Sequence, residues 1–278
     1  MGLRVNTNIS SIVAQRNLQE VTLRLQKNFS HLASGLRISQ AADDAAGLAI
    51  SERLRAKIRS LQQSIRNAND GISLVQTAEG ALSENSNILA RMKELAVQAR
   101  NGTTSSSDRA TLDDEFQSLI NALSRNATAT SYGGVSLLDG NQSEITFQVG
   151  DGVTSGVDTF TASLADVTTG TLGVSSLSLN TSSVGSIDSI IVALGSAIDT
   201  VNTARGKFGA AQNRLASTIA SLTISVENLT AAESRIRDVD VAYESGDLTR
   251  NNILQQAATS ILGQANLQPQ AALSLLRG

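Results

Sequence analysis

The sequence predicts a mainly α-helical fold: long N- and C-terminal arms form an antiparallel helical coiled coil or bundle, with a small β-hairpin region in the middle of the chain. Three observations predict this fold class. Only 3% of the 278 residues are aromatic although 41% are hydrophobic, so aliphatic side chains must fill the core. The single proline leaves long helices possible. Apolar residues repeat at helical spacing toward both ends, whereas the middle is rich in Gly, Ser and Thr.

The N-terminal arm begins with a stripe of apolar residues spaced three or four apart, typical of one helix face. Its members are Leu18, Val21, Leu25, Phe29, Leu32 and Leu36. Ser34-Gly35 and the stretch from Gln40 to Asp44 predict a break after this helix. Asp43 is then expected to cap a second helix, because its carboxylate can accept hydrogen bonds from free backbone N–H groups.

The second helix is expected to extend to about Ala99, followed by Asn101-Gly102 as a C-terminal signal. Its stripe starts with Leu54, Ile58, Leu61 and Ile65. Ser107 is expected to cap a shorter third helix with its own apolar stripe. That stripe consists of Leu112, Phe116, Leu119, Leu123 and Ala127.

The middle of the chain, about residues 131–186, predicts β-hairpins. ITFQVG at 145–150 and DTFTASL at 158–164 alternate apolar and polar residues, and the GDGVTSG between them suits a turn. A Gly- and Ser-rich stretch can also be a flexible linker, and this alternative remains open. The recurrence of the alternation favours hairpins.

The C-terminal arm carries an apolar residue at every seventh position, which is the pattern of a coiled-coil seam. Its members are Ile187, Leu194, Val201, Phe208, Leu215, Leu222, Leu229 and Ile236. The expected partner in the same chain is the helix from Leu54 to Ala99. The chain would then go out, turn and return, so that both of its ends lie together.

The last segment, Asn251 to Leu276, contains no charged side chain, yet Gln, Asn and Ser interrupt it too often for a membrane span. Such a surface is neither strongly solvated nor fully apolar. We interpret it as part of an assembly interface that is completed by other copies of the chain.

Several function classes are disfavoured by composition. His31 is the only histidine and there is no cysteine, which excludes thiol–imidazole chemistry and a histidine-rich metal site. The pairs Asp43-Asp44 and Asp113-Asp114 lie near helix starts, where capping accounts for them. We therefore expect a non-enzyme without cofactor or metal.

Composition also bears on partners and localisation. The net charge of −3 gives no general reason to bind nucleic acid, and no membrane insertion is expected. The N-terminus lacks the features of a signal peptide, which indicates the cytoplasm unless export uses no cleaved signal.

Three motifs resemble bacterial flagellin. They are SGLRISQAADDAAGLAISERLRAKI at 34–58, IRNANDGISLVQTAEGAL at 65–82 and the closing ILQQAATSILGQANLQPQAALSLLR. The resemblance covers about residues 1–140 and 187–278, in order and at both ends. It implies a structural subunit that polymerises into the flagellar filament for swimming motility, is exported unfolded and folds at the filament tip. The implied localisation is secreted and extracellular, in the bacterial flagellum.

The resemblance also implies a layered architecture. Residues 1–42 with 240–278 would form an inner coiled-coil domain lining the filament channel. Residues 43–239 would form an outer helical-bundle domain with β-hairpins at about 131–186 and without large surface domains. Amide side chains of the uncharged terminal segment are the candidates for the channel lining. They are Gln255, Gln256, Gln264, Asn266 and Gln268.

The implied partners are further copies of the chain, the flagellar export apparatus, an export chaperone, and cap and hook-junction proteins. ILARMKELAVQARNGT at 88–103 resembles the site sensed by a flagellin-recognising Toll-like receptor. The candidates carried over are Arg91, Leu95, Gln98 and Glu115. A hook–filament junction adaptor shares the terminal architecture and is the alternative function.

Overall fold

The computed structural model describes residues 7–180 and 184–277 and is mainly helical, which confirms the predicted fold class. Its elements are α1 Ile9–Ser34, α2 Ala45–Ala99, α3 Ser106–Ala129, β1 Ser131–Tyr132, β2 Val135–Ser136, β3 Glu144–Gln148, β4 Thr159–Ser163, α4 Val184–Arg237 and α5 Val241–Arg277. The chain divides into two compact units, each described below by itself. Unit 1 contains Met1–Ala56 and Glu227–Gly278, and unit 2 contains Lys57–Val226.

Helix α1 ends where the sequence predicts. Gly35 follows it with φ of 71°, a left-handed conformation that favours glycine and closes a helix. The predicted stripe is wrong at Phe29, whose side chain is 56% exposed while the neighbouring Asn28 is 7% exposed. The buried face of α1 therefore passes through Asn28, and Leu36 lies beyond the helix end.

The cap of α2 is Asp44 rather than Asp43. The backbone N–H of Gly47 donates to Asp44 Oδ1 at 2.9 Å. Asp43 instead accepts hydrogen bonds from the backbone N–H groups of Ser39 and Gln40, both at 3.2 Å. Because α2 begins at Ala45, the residue directly before it is placed to cap, and a carboxylate one position earlier reaches the loop.

Helix α3 is also capped by a different residue from the one predicted. Ser105 and Asp108 form a capping box, in which the Ser105 side chain accepts from the Asp108 N–H and the Asp108 carboxylate accepts from the Ser105 N–H. Ser107 lies inside the helix. The Ser-rich run offers several possible caps, and the carboxylate three residues after Ser105 selects this one.

Unit 2 contains a continuous hydrophobic core from α2, α3 and α4 together with Leu137, Leu138 and the segment that follows β4. Its largest fully buried side chains include Phe116, Phe208 and Leu82. The salt bridge between Arg205 and Glu79, at 3.7 Å, joins α4 to α2.

Two antiparallel hairpins follow α3, which confirms hairpins rather than a linker. In the first, Gly133 and Gly134 both have positive φ, as a tight two-residue turn requires. In the second, β3 pairs with β4 from Glu144 opposite Ser163 to Gln148 opposite Thr159. Phe160 of β4 is buried in a small cluster with Leu215, and Arg214 lies 5.1 Å from the centre of its ring.

One described helix, Gly185–Arg237, is long and apolar enough to cross a membrane by length and composition, with a mean hydropathy of 1.2 in its most apolar window. The aliphatic side chains responsible include Leu194 and Val201, which are fully buried in the core of unit 2.

Candidate functional site

The surface with most functional interest lies in unit 1, where α1 and α5 pair side by side. Few of their residues are buried, because each helix contacts the other along one narrow face. Large apolar side chains point away from that face and are more than half exposed. They are Ile9, Ile12, Leu23, Phe29, Val241, Tyr243, Ile253, Ile261 and Leu267. A pair of helices in this state leaves apolar surface that a further partner could cover.

Polar side chains connect the two helices near the start of α1. Asn8 Nδ2 donates to the carbonyl oxygen of Ala265 at 2.6 Å, and Ser11 Oγ donates to Asn266 Oδ1 at 2.8 Å. The Asn8 side chain also accepts from the Ser11 N–H, so it caps α1 and contacts α5 at once. The start of α1 is thereby fixed against the C-terminal half of α5.

A second polar cluster is buried near the other end of the pair. Asn251 Nδ2 donates to Asn28 Oδ1 at 2.9 Å, and Asn28 Nδ2 donates to Glu244 Oε1 at 2.7 Å. All three residues are at most 9% exposed. Polar groups in such a place are stable only when they are hydrogen-bonded, and these three satisfy one another.

His31 extends this cluster toward the loop before α2. Its Nδ1 lies 3.1 Å from Glu244 Oε1, and its Nε2 lies 3.8 Å from Asp43 Oδ2 without a hydrogen bond. Lys27 Nζ lies 3.0 Å from the other Asp43 oxygen. The pKa of Asp43 is held well below its usual range, chiefly by Lys27 and also by the N–H groups of Gln40 and Ser39, with burial opposing. His31 thus makes a buried polar contact between α1 and α5.

Sequence reasoning did not find this cluster. The signal was present, because Asn28 lies between Leu25 and Leu32 at the spacing of the stripe, but an apolar stripe assigns the position to Phe29. The partners of Asn28 lie more than 200 residues away in the chain, so no local pattern connects them.

The predicted seam is buried over only part of its length. The buried members on α4 are at most 1% exposed, and Leu61 of α2 is 4% exposed; those on α4 are Ile187, Leu194, Val201, Phe208 and Leu215. The remaining members are half-buried in the single chain. They are Leu222, Leu229, Ile236, Leu54, Ile58 and Ile65.

The candidate channel-lining residues all lie on α5 in unit 1. Gln256, Gln264, Asn266 and Gln268 are exposed and Gln255 is half-buried. Asn266 is already engaged by Ser11, so its side-chain oxygen is directed to α1. The other exposed amides remain on the surface of the pair.

The receptor-recognition candidates lie on α2 and α3 in unit 2. Arg91 Nη2 contacts Glu115 Oε1 at 2.8 Å, and the pKa of Arg91 is raised by Glu115 and then by Glu94. Gln98 is exposed, whereas Leu95 is 1% exposed and belongs to the core. The accessible face therefore consists of the polar candidates, with Leu95 packed beneath them.

An open apolar groove of about 460 Å³ adjoins this face, between α2 and α4. It is lined by Ala90, Lys93, Glu94, Val97, Gln98 and Ile198. Among residues 7–180 and 184–277, no group of three or more His, Asp or Glu side chains is placed to hold a metal ion.

Two family models match the chain. The model of the bacterial flagellin N-terminal helical region matches residues 5–143, and that of the bacterial flagellin C-terminal helical region matches residues 191–276. These ranges contain α1 to α3 and nearly all of α4 and α5.

Full-length relatives agree with the family models. The flagellin of Halalkalibacterium halodurans is 46% identical over 273 residues, covering 98% of this chain and 99% of its own length. The flagellin of Bacillus subtilis is 42% identical over 306 residues, covering 99% and 100%. The crystal structure of Bacillus cereus flagellin is 34% identical, with a TM-score of 0.50 over 60% of this chain and 94% of its own.

Proposed function

The chain belongs to the bacterial flagellin family, and on this premise we propose how it is exported, folds and assembles. It is a structural subunit of the flagellar filament, which is extracellular, and it is not an enzyme. In our proposal the chain leaves the cell unfolded through the flagellar export apparatus. It then folds at the tip of the growing filament, where neighbouring copies complete its terminal helices.

The observation that carries this proposal is the exposed apolar surface of the α1–α5 pair. Side chains such as Ile12, Leu23 and Ile253 are more than half exposed. Fully burying one such side chain is worth about 1.5–3 kcal/mol. Neighbouring copies would supply that burial, and their contacts would offset the entropy lost when long terminal segments become ordered.

We assign residues 1–42 and 240–278 to the inner layer of the filament and residues 43–239, with the hairpin region at 131–186, to the outer layer. The continuous core of unit 2 supports a self-contained outer layer. The narrow contact face of the α1–α5 pair supports an inner layer built from many copies. The amides at Gln255, Gln256, Gln264, Asn266 and Gln268 would line the channel, where an uncharged polar surface avoids repulsion between stacked like charges.

The seam on α4 would also be completed on assembly. Its burial ends at Leu215, and Leu222 and Leu229 are half-buried in the single chain. A neighbouring copy covering these positions would extend the same heptad packing along the helix. In this proposal the half of the seam up to Leu215 stabilises the single chain, and the half from Leu222 onward stabilises the filament.

The other proposed partners meet the chain before or outside the filament. An export chaperone would hold the amphipathic C-terminal segment, and the cap and hook-junction proteins would contact the assembled ends. The Toll-like receptor would contact the monomer at Arg91, Gln98 and Glu115. Their exposure and the apolar groove beside them support this surface.

Seeded polymerisation tests the proposal. Purified chain is added to short filament fragments, its product is imaged by electron microscopy, and its helix content is followed by circular dichroism. We expect long filaments and a rise in helicity. Full helicity in the soluble chain would contradict folding on assembly. No elongation would contradict the filament assignment and lead to the hook–filament junction adaptor. Fragments without added chain are the control.

A further inference from the structure

Both helices of the α1–α5 pair present a seam of buried or half-buried residues with alternating three- and four-residue spacing. On α1 the seam is Ser11, Ala14, Leu18, Val21, Leu25, Asn28 and Leu32. On α5 it is Glu244, Leu248, Asn251, Gln255, Ala258, Leu262 and Ala265. Each seam therefore repeats every seven residues, as in a coiled coil.

A seven-residue repeat leaves the register of the pair ambiguous. If α5 slides by one heptad along α1, seam residues still face seam residues, and small and aliphatic side chains still pack against each other. The axial displacement would be about 10 Å, at 1.5 Å per residue. The apolar positions alone therefore do not distinguish the observed register from its neighbours.

Asn28 and Asn251 distinguish them in the buried part of the seam, and the contacts of Asn8 and Ser11 with α5 do so near the other end of the pair. In the observed register the Asn28 and Asn251 side chains are hydrogen-bonded at 2.9 Å, and Asn28 also donates to Glu244.

A slip by one heptad in one direction would place Asn251 opposite Val21, and a slip in the other direction would place Asn28 opposite Ala258, so that each slip leaves one asparagine without its partner. A buried amide without a partner is unfavourable, so the slipped registers are penalised.

We propose that the Asn28–Asn251 hydrogen bond, supported by Glu244, fixes the register of the N- and C-terminal helices. A buried asparagine in a coiled-coil seam has this effect in general, at some cost in stability. The inference concerns pairing within one chain, and its measurement in filaments rests on the proposed function.

Electron spin resonance can measure the register, because the chain has no cysteine of its own. Spin labels are attached at Gln15→Cys and Thr249→Cys, which replace exposed residues. Counting from the Asn28–Asn251 contact, these sites are offset along the pair by about 15 residues, or about 22 Å. A slip by one heptad thus changes the label distance by up to about 10 Å.

The test variant is Asn28→Leu with Asn251→Leu, measured in the soluble chain and in filaments diluted with unlabelled chain. In filaments we expect one distance in the parent and, in the variant, an additional distance displaced by about 10 Å. In the soluble chain, where the proposed function leaves these helices unpaired, we expect a broad distribution of distances for both. The matched control, Asn17→Leu with Asn252→Leu, changes the same residue types on the same helices outside the seam. It should keep the parent distance. A single unchanged distance in filaments of the test variant would overturn the proposal, as would parent filaments without a single distance. A single distance in the soluble parent would instead contradict folding on assembly and leave the register proposal intact.

A rescue variant keeps the test decisive if the double substitution leaves the helices unpaired. Moving one heptad back on α1 and one forward on α5 reaches Val21 and Ala258, which stay opposite each other in an antiparallel pair. Val21→Asn and Ala258→Asn, added to the test variant, should restore the single parent distance. If the rescue variant shows no defined distance, or the same mixture as the test variant, the proposal is wrong.

Discussion

In unit 2, Phe116, Phe208 and Leu82 are less than 2% exposed, whereas in unit 1 Ile12, Leu23 and Phe29 remain more than half exposed. The two units draw on the same aliphatic-rich composition and are both mainly helical. In unit 2 three helices and two hairpins surround a common core. In unit 1 two helices pair along one face, and a pair has no interior in which both faces of a helix can be buried.

Unit 1 is also distinguished by its buried polar contacts. Four of the buried polar side chains in unit 1 form one connected cluster between the helices and the loop: Asn28, His31, Glu244 and Asn251. Hydrogen bonds contribute less net stability than apolar burial but depend strictly on geometry. Unit 2 is therefore stabilised mainly by packing. The contacts of unit 1 specify a geometry, and in the proposed assembly further copies would add to its stability.

The largest expected effect comes from removing most of α5. Truncation after Asn251 takes away the apolar side chains of the C-terminal arm that neighbours would cover, including Ile253, Ile261 and Leu267. We expect no filaments in the seeded assay, while the thermal unfolding of unit 2 stays within a few degrees of that of the full chain. Elongation by the truncated chain would refute the assembly role of this arm.

The next largest effect is expected from a comparison of two substitutions, one phenylalanine in each unit. Phe116→Ala should lower the free energy of unfolding by about 3–5 kcal/mol, because it leaves a cavity in the core of unit 2. Phe29→Ala, its matched control, should change the value by less than about 0.5 kcal/mol in the soluble chain. Urea unfolding measures both.

Phe29→Ala should, however, reduce seeded elongation, since its apolar surface is available to a neighbour. Equal losses of stability from the two substitutions would erase the distinction drawn between the units. Unchanged elongation by Phe29→Ala would remove this residue from the assembly surface.

A smaller effect concerns the loop of unit 1 and depends on pH. The pKa of Asp43 is lowered in the folded chain, chiefly by Lys27, so the folded state binds fewer protons there than the unfolded state. Its contribution to stability is fully present above the unfolded value of about 3.9 and is lost as the pH falls through the folded value. Asp43→Asn should therefore lower the free energy of unfolding by about 1 kcal/mol at neutral pH. The difference between the variant and the parent should shrink below about pH 4.

Acid titration of the far-ultraviolet circular dichroism of filaments of both proteins, in which α1 is ordered, measures that difference. Asp70→Asn, at an exposed position on α2, is the control and should follow the parent at every pH. A cost of Asp43→Asn that grows on acidification would contradict the assigned interaction with Lys27.

The sequence predicts those features of the fold that depend on local signals. The end of α1 at Gly35, the extent of α2 to Ala99 and the second hairpin follow from a glycine, a long stripe and a clear alternation. The motifs at both ends also identified the family. The buried position of Asn28 could not be predicted, because its partners Glu244 and Asn251 come from the other end of the chain.

The exact capping residue at a helix start is also difficult to predict from the sequence. Adjacent candidate caps, as in Asp43-Asp44 or Ser105-Ser106-Ser107, are only one residue apart in the sequence. Their side chains nevertheless point in very different directions around the helix axis. The choice depends on which side chain meets a free N–H once the helix phase is set by packing. Residue type alone therefore predicts that a cap is present and leaves its position uncertain by one or two residues.

The smallest expected effect tests this choice in unit 2. Ser105→Ala removes both the acceptor for the Asp108 N–H and a 2.7 Å hydrogen bond to the Asp108 carboxylate. It should therefore lower the free energy of unfolding by about 1 kcal/mol. Ser107→Ala changes the same residue type two positions later, inside the first turn, and should be neutral or slightly stabilising because alanine favours helices. Urea unfolding distinguishes the two, and a larger loss from Ser107→Ala would return the cap to that residue. Because α3 carries Phe116 into the core, any loss should appear in the global unfolding of unit 2 and leave seeded elongation unchanged.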